Sequence, residues 1–170
     1  GLILIASKSD VDLYTIDLKQ NFRISIISPD LAVWILMNFD YPYKRCSSIM
    51  TRLGRCNESL IHQVTSLLTS KNSEVLERGY RLLEFFSNRG EPLNTLNKKG
   101  LTPAHTAFVY GKAKLLQALL DYGADPLVKA SNPKEYGHGL NVFEFSDVPC
   151  KKGDIFHRPV CKILDSYSRR

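Results

Sequence analysis

The stretch NKKGLTPAHTAFVYGKAKLLQALLDYGADP, running from Asn97 to Pro126, decides how this chain is read. Two apolar segments lie between three glycine breaks: Gly100 before the first, Gly111 between them and Gly123 after the second. Thr102 directly before Pro103 is a helix-start signal. A Thr hydroxyl accepts from the backbone N–H groups left open at a first turn, and Pro at the first helical position has no N–H to leave open. Leu115, Leu116, Leu119 and Leu120 recur at helical spacing and form one apolar stripe. Gly123 then stands where a helix ends in the left-handed conformation that glycine adopts without strain. His105 and the neighbouring hydroxyls look like material for catalysis, but the spacing gives them a different use.

That use follows from an echo. RLLEFFSNRGEPLN (81–94) lies over KLLQALLDYGADPL (114–127), and setting Gly90 on Gly123 gives an offset of 33. Leu82 and Leu83 then fall on Leu115 and Leu116, and Phe86 falls on Leu119. Self-similarity at such a period is the mark of stacked repeats. At this offset the stretch resembles an ankyrin repeat. Asn97-Lys98-Lys99-Gly100 takes the place of the hairpin tip that opens a repeat. Thr102-Pro103-Ala104-His105 matches the TPLH signature with Ala104 in place of Leu, and Gly123-Ala124-Asp125 matches the closing GAD. The resemblance implies that Thr102 caps the first helix and that His105 hydrogen-bonds to Thr102 and to the neighbouring loop. It also implies that Ala107 lets the two helices approach and that Gly111 turns the chain between them. Phe108 stands where the family carries Ala, which implies a spread helix pair or an atypical neighbour.

Only 97–129 is near consensus. The preceding unit, 57–96, keeps the second helix and the Gly90 turn but lacks TPLH. Its first helix is ESLIHQVTSLLTS, with Asn57 as cap and a stripe of Leu60, Val64, Leu67 and Leu68. Its second is EVLERGYRLLEFFSN, capped by Ser73, with Val75, Leu76, Leu82, Leu83 and Phe86 on one face. The following unit, 130–167, has an inserted loop, SNPKEYGHG. Gly139-Leu140-Asn141 replaces the GLT start, VFEF is the first helix, and a last helix near VCKILDSY has Pro159 in its first turn. Terminal repeats are expected to be atypical, because their outer faces meet water.

The first 55 residues are not accounted for by the resemblance. Up to Ser28 the pattern is closest to period two, in LILIA, DLYTIDL and FRISIIS, and predicts short strands or an irregular helical start. Ser28-Pro29-Asp30 opens a helix through LAVWILMNF that stops before Tyr41-Pro42, and a further short helix is expected over Arg45–Arg52. The expected fold is therefore all-α: an ankyrin-type helix–turn–helix stack (an α-solenoid) over 57–170, with an irregular, partly β segment, 1–56, packed on it or capping it.

The bulk composition fits this. The 170 residues are 44% hydrophobic and 24% charged, enough to bury a core and unlike a disordered chain. The net charge of +6 is compatible with acidic protein surfaces, nucleic acid or anionic membranes. The longest apolar run, ISIISPDLAVWILMNF, is interrupted by Pro29 and Asp30, so no membrane span is expected and the protein reads as soluble. Gly1 in place of Met points to a processing site, a tag scar or the interior of a longer chain. Cys46, Cys56, Cys150 and Cys161 show no CxxC pair and read as reduced thiols in the cytoplasm, or in a host cytosol for a secreted effector.

No constellation for chemistry emerges. His105 lacks a nucleophile or acid partner by spacing, and its TPxH context gives it a structural hydrogen-bonding role. Cys150, His157 and Cys161 form C-x6-H-x3-C with His138 upstream, a looser spacing than the close ligand pairs of zinc sites. His157 and Cys161 stand four residues apart, although Pro159 between them argues against a regular helix there. Neither a phosphate-binding glycine loop nor an HExxH frame is present. The basic group Tyr43-Lys44-Arg45 with Arg52 and Arg55 reads as a solvated face before it reads as a nucleic-acid contact. Catalytic residues, cofactors and metals are therefore not expected.

The resemblance implies a module that binds another protein through hairpin tips and the concave face of first helices. Carried over by position, the contact residues are Lys98, Lys99, Leu101 and Lys129 on the hairpins and Val109 and Tyr110 at the end of the first helix. Tyr110 suits an anchor, and the lysines favour an acidic partner. Ankyrin units also accompany catalytic domains in larger proteins, bacterial effectors among them. The alternative expectation is thus a recognition part of an enzyme whose catalytic domain lies elsewhere.

Overall fold

The structure is a computed structural model and describes residues 29–38, 59–134 and 137–168. Among these residues it is all-helical, with no strand: α1 Pro29–Asn38, α2 Leu60–Leu67, α3 Ser73–Asn88, α4 Pro103–Val109, α5 Ala113–Asp121, α6 Val142–Lys151 and α7 Arg158–Tyr167. The chain divides into two compact units, Gly1–Arg89 and Gly90–Arg170. The strands expected before Ser28, the Ser28 cap, the helix over Arg45–Arg52 and its basic residues lie outside the described residues.

In the first unit, Pro29 opens α1 as its spacing predicts. α1 packs on α3, where Arg78 Nε donates to Asp30 Oδ1 at 2.9 Å. α2 and α3 form a helical hairpin, and Gly79 lets them close: a Cβ there would lie 2.7 Å from Leu68 Cδ2. Two expected caps are corrected, the first by two residues and the second by one. The cap of α2 is Ser59, whose hydroxyl accepts from the His62 N–H, and Asn57 lies outside the described residues. The cap of α3 is Asn72, whose Oδ1 accepts from Glu74 and Val75, so Ser73 is the first helical residue. The apolar faces hold at Val64 and Leu67 of α2 and at Leu68, its C-cap, and differ at single positions. Ile61 is fully buried while Leu60 is half-exposed, and Leu76 on α3 is half-exposed beside buried Val75, Leu82, Leu83 and Phe86.

In the second unit the local signals hold. Thr102 caps α4 by accepting from the His105 N–H at 3.3 Å, and Pro103 sits in the first turn. Gly111 takes φ +62 and reverses the chain into α5, and Gly123 takes φ +96 at its end. Helices of seven and nine residues are too short to persist alone, so packing must hold them. That packing is stacked in register. α4 lies on α5 and α6 on α7, while α4 also contacts α6 and α5 contacts α7. Ala104, Ala107, Phe108, Leu115, Leu116, Leu119, Val142, Val160 and Leu164 fill the interior.

The loops are joined as well. Asn97 Oδ1 accepts from the Lys99 and Leu101 N–H groups at 2.9 and 3.0 Å, folding 97–101 into a tight tip. Ser131 N–H donates to Gly100 O, and Ala130 N–H to Leu140 O. Gly100, at φ +70, is required here, because a Cβ would fall on the backbone of Asn132. Asn141 replaces Thr102 as the start of the next helix. It forms a reciprocal capping box with Glu144, at 3.0 and 2.9 Å. Pro159 falls in the first turn of α7, so a regular helix does run from Arg158 through Cys161.

Candidate interaction surface

His105 is buried at the base of α4, and its partners fix its protonation. Leu140 O, 3.1 Å away, only accepts, so Nε2 carries the proton. Nδ1 then accepts from the Thr102 hydroxyl at 2.7 Å, while that same oxygen accepts from the His105 N–H. Both ring nitrogens are used in bracing one helix start against the next loop, and neither is open to a substrate. Burial pushes the imidazole pKa down, outweighing the Leu140 carbonyl, which favours the charged form.

A sign follows for stability. Above the ordinary imidazole range His105 is neutral in both states and its contribution is complete. Below it the unfolded chain takes up the proton first, so stability falls with pH until the lowered folded value is passed. Urea midpoints measured from pH 7.5 to 4.5 should drop on the acid side, and His105→Gln should flatten that drop. An unchanged pH profile in His105→Gln would refute the assignment.

The six residues expected to meet a partner are not on one spot. Lys98 and Lys99 lie exposed on the 97–101 tip and Leu101 is half-buried beside them. Exposed Lys129 stands one residue before the loop that pairs with Gly100. Val109 and Tyr110, 39% and 50% exposed, lie at the other end of α4, which rises about 10 Å over its length. The structure thus places the lysines together and separates them from Tyr110.

What sits against Gly111, the residue after Tyr110, is the α6–α7 loop. A Cβ on Gly111 would lie 2.9 Å from two ring atoms of Phe156 and 3.1 Å from its carbonyl oxygen. Phe156 continues a train of rings into the interior. It meets His157 edge-on at 4.8 Å, His157 stacks on Phe108 at 4.9 Å, Phe108 meets Phe145 at 6.0 Å, and Phe145 meets His105 at 5.4 Å. Phe108 therefore faces an atypical neighbour: the rings of Phe145 and His157 occupy the space that a small residue would leave.

The same loop overturns the reduced-thiol expectation for two of the four cysteines. Cys150, near the end of α6, and Cys161, in α7, form a disulfide with their Cα atoms 5.7 Å apart. Cys46 and Cys56 lie outside the described residues. While that bond stands, neither sulfur is a thiolate, so the C-x6-H-x3-C group has lost two of its ligands to each other. His157 is engaged elsewhere. Its Nδ1–H donates to Asp154 Oδ2 at 2.6 Å, and this bond, helped by the Phe156 N–H, holds the Asp154 carboxyl below its usual range. No group of three or more metal-binding side chains converges among the described residues.

Among the described residues no helix is long and apolar enough to cross a membrane. Compared with protein-family models, curated proteins and solved structures, the chain gives no match.

Proposed function

We propose that the chain is a non-enzymatic protein-interaction module of ankyrin type, reading a partner through the 97–101 tip and the exposed end of α4. The observation that carries this reading is the use made of the conspicuous polar residues. Thr102, His105, Asn97 and Asn141 all spend their hydrogen bonds on caps, turns and loop bracing. The unengaged chemistry is left on the outside, in Lys98, Lys99 and Lys129 at one end and in Val109 and Tyr110 at the other. The 33-residue echo and the TPxH hydrogen bonds support the ankyrin assignment.

The lysine edge suits an acidic partner, with charge acting mainly on encounter rate. A cytoplasmic or host-cytosol location loses its ground in the Cys150–Cys161 pair, because disulfides persist in oxidising compartments.

The test uses the chain as bait with quantitative mass spectrometry. Tyr110→Ala should reduce recovery of a specific partner by about tenfold or more, the size of an aromatic anchor. Lys98→Glu with Lys99→Glu should slow capture and reverse its salt dependence. Both variants should keep the wild-type unfolding midpoint, since the altered side chains are exposed. A partner set unchanged by either variant would remove this surface from consideration.

A further inference from the structure

The α6–α7 loop presents what neither the core nor the mechanism of folding uses. Ile155 is 78% exposed and its chain neighbour Phe156 58%. Large apolar side chains left in water side by side cost free energy that a covered surface would recover. This loop is also held in shape. The disulfide closes its base, Gly153 turns at φ +69, and Asp154 accepts from both the Phe156 N–H and the His157 ring. A segment already fixed in one conformation loses little entropy when it is bound.

The charge around it is predominantly positive. Between Val148 and Lys162 stand Lys151, Lys152, Arg158 and Lys162 against the single carboxylate of Asp154. Lys151 is paired with Asp147 at 2.7 Å, while Lys152, Arg158 and Lys162 are exposed and make no ion pair among the described residues. Asp154 is already occupied by His157.

We propose that Ile155 and Phe156 form a docking surface for an extended acidic segment of a partner protein, one that carries an apolar anchor side chain flanked by Asp or Glu. The anchor covers Ile155 and the exposed edge of Phe156, and the flanking carboxylates meet Lys152, Arg158 and Lys162. An anionic membrane shares the basic and apolar chemistry but fits less well. Phe156 lies against Gly111 instead of projecting, and the Asp154 carboxylate would be pressed next to the headgroups together with Ile155. The proposal rests on the protein-interaction reading above and shares no residue with the surface proposed there.

Random dodecapeptides displayed on phage, panned against the full chain, provide the test. The expected winners combine Leu, Phe, Trp or Tyr with neighbouring Asp or Glu. A synthesised winner should bind Ile155→Ser about tenfold more weakly than wild type, as the loss of one apolar contact predicts. It should bind Lys152→Glu with Arg158→Glu more weakly still at low salt, and Lys98→Glu with Lys99→Glu as wild type does. Ile155 and these basic side chains are exposed, so the variants should keep the wild-type fold, and matching circular dichroism checks it. The proposal is overturned if no peptide is enriched, if the winners lack acidic residues, or if Ile155→Ser binds them unchanged. It is equally overturned if vesicles of mixed phosphatidylcholine and phosphatidylserine bind the chain through Ile155 and the peptides do not compete. Loss of the Tyr110-dependent partner with peptide binding intact would instead point to the surface proposed earlier.

Discussion

Phe108→Ala should lower the stability of the Gly90–Arg170 unit by about 3–5 kcal/mol, the range for removing a buried aromatic ring. The side chain is 1% exposed and lies between two other rings, edge-on to Phe145 at 6.0 Å and stacked on His157 at 4.9 Å. Truncation leaves a void bounded by α6 and by the base of the α6–α7 loop. Phe145 cannot slide into it freely, because its ring also lies against His105 and sits where a Cβ on Gly137 would fall. Collapse is therefore limited and the upper part of the range applies. The contrast with the ankyrin resemblance sharpens the test, since that resemblance would put Ala here. If the position behaved as the family pattern implies, Phe108→Ala would be neutral. Urea unfolding followed by circular dichroism measures the difference. A loss below about 1 kcal/mol, less than a single deleted methylene pair predicts, would show that the ring is not seated between Phe145 and His157. Phe108→Leu should recover a large part of the loss, because it refills much of the volume.

Local turn and cap chemistry was the most legible part of this fold. Thr102, Pro103, Gly111, Gly123 and Pro159 each act where their own backbone preference directs, and no distant residue is needed to read them. Asn57 against Ser59 and Ser73 against Asn72 failed for a related reason. Each pair offers two good caps within two residues of one another, and composition cannot choose between them. Leu60 was put on the buried face with Val64, Leu67 and Leu68, and Ile61 is buried there in its stead. The contacts that shape the α6–α7 loop were illegible for a different reason: they join segments far apart in sequence. Nothing near Gly111 announces that Phe156 lies over it. Nothing near Cys150 announces Cys161 as its partner, because the pairing depends on how the loop returns from α6 to α7. The lysine tip and Tyr110 were grouped through position in a repeat pattern, and the length of α4 separates them.

Loss of the Cys150–Cys161 disulfide should cost the second unit about 2.5–3 kcal/mol, the chain-entropy value for a loop of this length. The bond spans a sequence separation of 11 and ties the last turn of α6 to the first turns of α7. α6 is weakened near that point by Pro149, which offers no N–H to the helix, so the covalent tie holds a helix end that hydrogen bonding alone holds poorly. The effect is read most cleanly in a Cys46→Ser, Cys56→Ser background, where a reductant can act on this pair alone. Reduction of that protein should lower the urea midpoint, and Cys150→Ser with Cys161→Ser should reproduce the reduced midpoint and be insensitive to reductant. Peptide mapping without reduction should recover residues around Cys150 linked to those around Cys161. Alkylation of both thiols in the native protein, or a midpoint indifferent to reductant, would disprove the pairing and restore the reduced-thiol reading. A further consequence separates the disulfide from a metal clip on the same residues. A chelator should leave the oxidised midpoint unchanged, because a sulfur bonded to sulfur has no thiolate to offer a metal. Reduction should also loosen the Ile155–Phe156 tip before it unfolds the unit, since the bond closes the loop that carries them and the stacked α4 and α5 lie outside it. Binding through that tip should therefore weaken at lower reductant than the loss of helical signal requires.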